Sequence, residues 1–242
     1  MTVYAVMALA ALAGGIIQPL TGFGSAVILM VAAQYFFDIT VAPSVAAAIC
    51  VVQSGVMAIA RRRSIDLRQI LPSIALYTVC SLVVINLLGQ MDLHVLTAVF
   101  GGFLVLLAVY FLFLAKRVQL RPGRLTGMLC SAFSGCCAGA FTIGGPMMAL
   151  YFVAIARDKE SYVANMQFLF VTTNAVNLAM RACRGLYGPE YLPVTAVGAG
   201  AVLLGMVIGN ALSRRMSGHV ARQVVYIGVG ISGLVTLLQQ IL

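Results

Sequence analysis

The chain of 242 residues contains no tryptophan, two histidines and six acidic residues, and these shortages narrow its chemistry before any motif is read. The acids are Asp38, Asp66, Asp92, Asp158, Glu160 and Glu190, and all six stand in loops or at the ends of apolar runs. No carboxylate remains inside an apolar run, which weighs against a cation carrier and against a carboxylate proton relay. His94 and His219 each open an apolar run, an interfacial position and not a catalytic one. Cys50, Cys80, Cys130, Cys136, Cys137 and Cys183 form neither a CxxC pair nor a Cys/His metal spacing, so small buried side chains are expected of them and no metal or other cofactor. A nucleophile paired with a base, a phosphate-binding loop and a basic nucleic-acid surface are equally absent, which argues against an enzyme and against a nucleic-acid partner. With no Trp, and with Tyr and Phe scattered, no aromatic belt is drawn.

Apolar surface is what the chain has in excess. It is 62% hydrophobic and 9% charged, more apolar surface than a domain of this size can hide from water. The sequence therefore reads as an all-α polytopic membrane protein embedded in a lipid bilayer. Apolar runs at 3–37, 41–60, 69–88, 93–115, 125–156, 161–182, 190–212 and 219–241 give about eight transmembrane helices for a hydrocarbon core about 30 Å thick. The first run opens Met1-Thr2-Val3-Tyr4 without a basic segment, so it is expected to stay as a span and not to be cleaved as a signal peptide. Arg61, Arg62, Arg63 and Arg68 follow the second run and Lys116, Arg117, Arg121 and Arg124 the fourth, while the loops around Asp38 and Asp92 carry no Lys or Arg. The positive-inside rule puts both basic loops in the cytoplasm and, if all eight runs cross, both termini with them. Arg214, Arg215 and Arg222, after the seventh run, go against this scheme.

The first and fifth runs are longer than one crossing needs, and each is broken near its middle. The breaks are Gln18-Pro19-Leu20-Thr21-Gly22-Phe23-Gly24-Ser25 and Gly139-Ala140-Phe141-Thr142-Ile143-Gly144-Gly145-Pro146. Such segments are either discontinuous spans or half-spans that re-enter. An offset of 120 lays Gly15 on Gly135, Gly24 on Gly144, Ser25 on Gly145, Ser54 on Asn174 and Arg61 on Arg181. The chain thus reads as two four-helix repeats, 1–120 and 121–242, within one membrane domain. Four crossings per half predict halves running in the same sense, a count that a re-entrant first element would alter.

Ser25 and Gly145 are expected to cap restarting helices, with Pro146 at the first helical position. Each restart leaves backbone N–H groups pointing into its break, backed by the positive end of the helix dipole, which suits an anion. The expected ligand groups are Gln18, Thr21, Gly22, Gly24, Ser25 and Ala26 in the first break and Thr142, Gly144 and Gly145 in the second. A single glycine serves helix packing equally well; two breaks in corresponding places are what point to a site. In the sixth run, Gln167, Asn174, Asn177 and Arg181 lie along one helical face, and the first half offers Gln53, Ser54 and Arg61. Gln53, Asn174 and Asn177 are expected near the anion, interhelical hydrogen bonding being their alternative use. Arg61 and Arg181 are expected either to draw anions to the cytoplasmic mouth or to snorkel at helix ends.

Two halves that each open on a Gly-rich break, Gly22-Phe23-Gly24-Ser25 and Ile143-Gly144-Gly145-Pro146, resemble the sulfite exporter TauE/SafE family of bacterial membrane permeases over nearly the whole chain. The chain departs from the fuller triple-glycine pattern at Ser25 and Pro146. The resemblance implies a bacterial inner-membrane location and export of a small sulfur-containing anion, sulfite or an organosulfonate. With the residues above, it leads to alternating access around a site between the breaks. An anion channel, an exporter of another small anion and a non-transporting scaffold are the alternatives.

Overall fold

The structure, a computed structural model, describes residues 1–88, 90–110, 112, 122–213, 236 and 238. Lys116, Arg117, Arg121, Arg214, Arg215, His219, Arg222 and the eighth apolar run lie outside these, apart from Thr236 and Leu238 within that run. Among the described residues every regular element is helical. The first run divides into α1 (Thr2–Thr21) and α2 (Ser25–Ala33), and the fifth into α6 (Arg124–Phe141) and α7 (Gly145–Ile155). Between them lie α3 (Ala42–Ala60), α4 (Leu67–Leu88) and α5 (Leu93–Val109); α8 (Lys159–Cys183) and α9 (Leu192–Ser213) follow. Among the described residues four segments are long and apolar enough to cross a membrane: α1, α3, α4 and Pro189–Leu212. At 25 residues α8 spans about 37 Å, also enough to cross, and what lowers its hydropathy is a row of polar side chains buried against protein.

Each broken run turns back on itself. Gly14 of α1 lies against the backbone of Ser25 at the start of α2. In the other hairpin Gly127 of α6 faces the Tyr151 ring of α7, and Ser131 Oγ donates to Met148 Sδ at 3.7 Å. The reversal has a local cause in left-handed backbone. Gly22, at φ +87°, ends α1 with its N–H on Gln18 O at 2.8 Å, and Gly24, at φ +110°, sets the start of α2. Thr142, at φ +62°, ends α6 in the same manner, the one non-glycine residue among those described with a positive φ.

The two hairpins enter from opposite ends of the bundle. At one end, Arg157 at the close of α7 pairs with Asp66 at 3.3 Å, the Asp66 N–H donates to Asn165 Oδ1 at 2.9 Å, and Arg61 donates to Asn210 at 3.4 Å. At the other, the ring of Phe37, after α2, meets Tyr191, before α9, at 5.8 Å. The tip of the α1–α2 hairpin points towards the Arg61 end, and the Tyr162 hydroxyl donates to its Thr21 O at 3.0 Å. The tip of the α6–α7 hairpin points towards the Met1 end, and its Thr142 hydroxyl donates to Pro43 O at 2.9 Å. Because a hairpin replaces a crossing, Met1 lies at the end opposite Arg61–Arg68. The expected common side for the N-terminus and the basic loops is thereby corrected.

Each long hairpin arm runs parallel to a full-length helix at backbone contact. A Cβ at Gly15 of α1 would run into Val202 O of α9, and one at Gly135 of α6 into Tyr77 O of α4. Gly205 and Gly209, and Gly135 and Gly139, repeat at four-residue spacing on these interfaces, the small-residue pattern that lets membrane helices approach. Both hairpin tips are thus carried on rigid rails.

Candidate functional site

The starts of α2 and α7 face one pocket in the middle of the bundle. Gln18, Phe23, Gly24, Ala26 and Val27 line it from the first hairpin, and Thr142, Ile143, Gly145 and Pro146 from the second. Cys50 and Ser54 of α3 and Phe170 and Asn174 of α8 complete the wall. The first N–H groups of a helix have no partner inside it, and of the lining residues Ala26 and Val27 stand in the first turn of α2 and Gly145 at the first position of α7. Two positive helix ends therefore converge where no carboxylate stands. The cavity measures about 20 Å³, room for a single water and not for a sulfur oxyanion.

The caps fall one residue earlier than the sequence suggests. Gly24, not Ser25, caps α2, and Gly144, not Gly145, caps α7. The shift at α2 follows from the φ of +110°, which glycine tolerates and serine does not. Ser25 then becomes the first helical residue, and its buried Oγ, beside the Cys50 thiol, makes no hydrogen bond of ordinary geometry.

Of the expected ligand groups, Gln18, Gly24, Ala26, Thr142, Gly145 and Asn174 line the pocket. Asn174 Oδ1 is buried without a partner. Thr21 and Thr142 hold the tips together instead of presenting donors. Thr21 Oγ1 lies against Ile17 O at 3.1 Å and against Phe23 O, and the Thr142 hydroxyl is committed to Pro43 O. Gly22 takes the flat of the Tyr162 ring, and Gly144 takes the Tyr77 hydroxyl where a side chain would otherwise stand. Gln53 is fully buried one layer out, its Nε2 near Gly14 O at 3.5 Å and its Oε1 without a partner.

A polar chain closes the pocket towards the Arg61 end. Gln18 Nε2 donates to Gln167 Oε1 at 2.7 Å and to Ser54 Oγ at 3.3 Å, and Gln167 Nε2 donates to Gly22 O at 2.9 Å. Towards the Met1 end, Ser81 Oγ donates to Asn177 Oδ1 at 2.7 Å, leaving Asn177 Nδ2 unpartnered. Arg61 and Arg181, expected at one mouth, lie at opposite ends. Arg61 is half-buried beside Asn210, while Arg181 has 0% exposure and neither snorkels nor faces a vestibule.

Sequence spacing carries no mark of Phe23, Phe170 or Cys50 as pocket residues, because an apolar residue in an apolar run is indistinguishable from core. Outside the breaks, an open basin of about 350 Å³ at the Arg61 end is lined by Arg63, Arg68 and Arg157 together with Asp66 and Asp158. A groove of about 300 Å³ between α5, α6 and α7, lined by Phe103, Leu106, Phe133 and Met147, is apolar and suits hydrocarbon, not an anion. Among the described residues no group of three His, Cys, Asp or Glu side chains is placed to hold a metal ion.

Fold and site together define a multi-pass membrane protein with two opposed helical hairpins around an acid-free pocket that mixes apolar walls with a few polar groups. The family model for the sulfite exporter TauE/SafE matches residues 7–236, nearly the whole chain, and the chain belongs to that family. The family is one of membrane exporters of sulfite and related sulfur anions. No curated protein and no solved structure matches the chain.

Proposed function

We propose that the protein exports a small sulfur oxyanion, sulfite or an organosulfonate, by alternating access around the pocket between the hairpin tips. The observation that carries this reading is the convergence of two helix starts on one pocket that no carboxylate enters. The N–H groups of Ser25, Ala26 and Gly145 take the oxyanion, with the Ser25 hydroxyl and the Asn174 amide as further donors. Pro146 lacks an N–H and shapes its helix without donating.

The halves 1–120 and 121–242 act as repeats of opposite sense, each opening on a hairpin. The matched close approaches of Gly15 to Val202 and of Gly135 to Tyr77 support the pairing. With Arg61–Arg68 in the cytoplasm, Met1 lies on the outer side of a bacterial inner membrane, and Arg63, Arg68 and Arg157 gather anions on the inner side. The test is sulfite binding by purified protein, read as a thermal shift, against chloride and acetate. Stabilisation by sulfite that Ser25→Ala and Asn174→Leu both reduce supports the site. Equal stabilisation in wild type and both variants would move the anion elsewhere.

A further inference from the structure

Arg181 is fully buried and has no acidic partner among the described residues. Among the described residues the one ion pair, Arg157 with Asp66, lies at the other end of the bundle. The guanidinium is held by backbone alone: Nη1 donates to Thr40 O at 3.0 Å, and Nη2 to Gly139 O and to Ala140 O, the latter at 3.3 Å. Those last two carbonyls belong to the final turn of α6, whose negative dipole end meets part of the charge. The remainder has no counter-charge, and an ionised side chain inside a membrane protein without one marks a functional place. Nε has no acceptor at all.

One turn earlier on the same face of α8, Asn177 Nδ2 is a second buried donor without an acceptor, and Asn174 of the pocket lies on that face too. Arg181 also does mechanical work. It ties the α6–α7 tip, through Gly139 and Ala140, to Thr40 just before α3, next to the tie between Thr142 and Pro43. These ties form the wall between the pocket and the Met1 end. The opposite wall, of Gln18, Gln167 and Tyr162, is built from neutral groups only.

We propose that Asn177 Nδ2 and Arg181 form a transient exit subsite for the oxyanion, whose arrival draws the guanidinium from the Gly139 and Ala140 carbonyls and frees the α6–α7 tip. The inference rests on the anion-carrier reading and adds to it a cationic outer gate. A full negative charge outcompetes two carbonyl dipoles for the guanidinium, and a bidentate oxyanion also satisfies Nε. A neutral solute in the pocket has no such hold, so the gate responds to charge.

The experiment is hydrogen exchange of full-length protein in lipid nanodiscs with and without sodium sulfite, chloride serving as control, alongside thermal-shift binding. In wild type, sulfite raises exchange across 139–145 while leaving α3 protected. In Arg181→Gln, basal exchange across 139–145 rises by about tenfold or more, the loss of at least one charge-assisted hydrogen bond. Sulfite adds nothing further there, because the guanidinium it would draw away is gone. Arg181→Lys keeps the charge with fewer carbonyl contacts, so basal exchange rises and the sulfite response survives. A sulfite response equal in wild type and Arg181→Gln, or sulfite binding to wild type with no change across 139–145, overturns the gate and leaves the carrier reading standing. Absence of sulfite binding by folded wild type overturns both. Should Arg181→Gln fail to fold, the wild-type exchange and Arg181→Lys decide.

Discussion

Gly24 offers a perturbation of backbone alone. Its φ is +110°, and a Cβ there would meet nothing closer than Ile17 Cγ2 at 3.4 Å and Thr21 Oγ1 at 4.0 Å. Gly24→Ala therefore introduces no collision, only the penalty of a left-handed conformation, about 1–2 kcal/mol for an L-residue. The start of α2 sits in its binding position only in that conformation, so the competent fraction falls by the same free energy. Apparent anion affinity drops about fivefold to thirtyfold, since 1.4 kcal/mol is a factor of ten. Asn enters left-handed backbone more readily than Ala, and a β-branched side chain least of all. The affinity order is therefore Gly24, Gly24→Asn, Gly24→Ala, Gly24→Val, measured by isothermal titration of sulfite into detergent-solubilised protein checked for monodispersity. Affinity of Gly24→Ala within twofold of wild type, or Asn weaker than Ala, would refute the role given to this turn.

Gly135→Leu drives a side chain into Tyr77 O and prevents α6 from seating on α4, so size-exclusion chromatography should show no monodisperse peak. Gly102→Ala, where nothing lies within 4 Å, should behave as wild type. Gln167→Leu leaves Gly22 O unpaired, at about 1–3 kcal/mol, and leaves Gln18 Nε2 with Ser54 Oγ alone, so the melting temperature should fall by a few degrees. The triple change Arg63→Gln, Arg68→Gln, Arg157→Gln should slow sulfite entry from the Arg61 end several-fold at low ionic strength. That difference should vanish near 1 M salt, where the screening length is about 3 Å.

The membrane class was legible because apolar surface on this scale has one solvent. The breaks were legible because Pro19, Gly22, Gly24 and the Gly144-Gly145-Pro146 run each disturb helical backbone in its own way. Whether a break lets the chain cross or turn back was not. The long arms α1 and α6 are 20 and 18 residues, lengths that suit a crossing as well as a hairpin, and only contacts such as Gly14 with Ser25 distinguish the two. Thr21 and Thr142 looked like ligand donors because a hydroxyl in a break has two uses, and backbone carbonyls at Phe23 and Pro43 claimed them. Arg181 looked like Arg61 because both end an apolar run. Burial separates them, and burial depends on α6 reaching Thr40, a contact far apart in sequence. The polar face of α8 was legible as a face, since Gln167, Asn174, Asn177 and Arg181 share one side of the helix, and all four are buried.

The central claim is that two opposed hairpin tips carry a sulfur oxyanion across the membrane. Its most direct test is sulfite counterflow in proteoliposomes of purified full-length protein, with Gly24→Val combined with Gly144→Leu as the disabled variant. The account predicts saturable exchange that sulfite and small organosulfonates support and chloride and acetate do not, abolished in the disabled variant. Conductive flux without saturation, or no sulfite movement by folded wild-type protein, would contradict it.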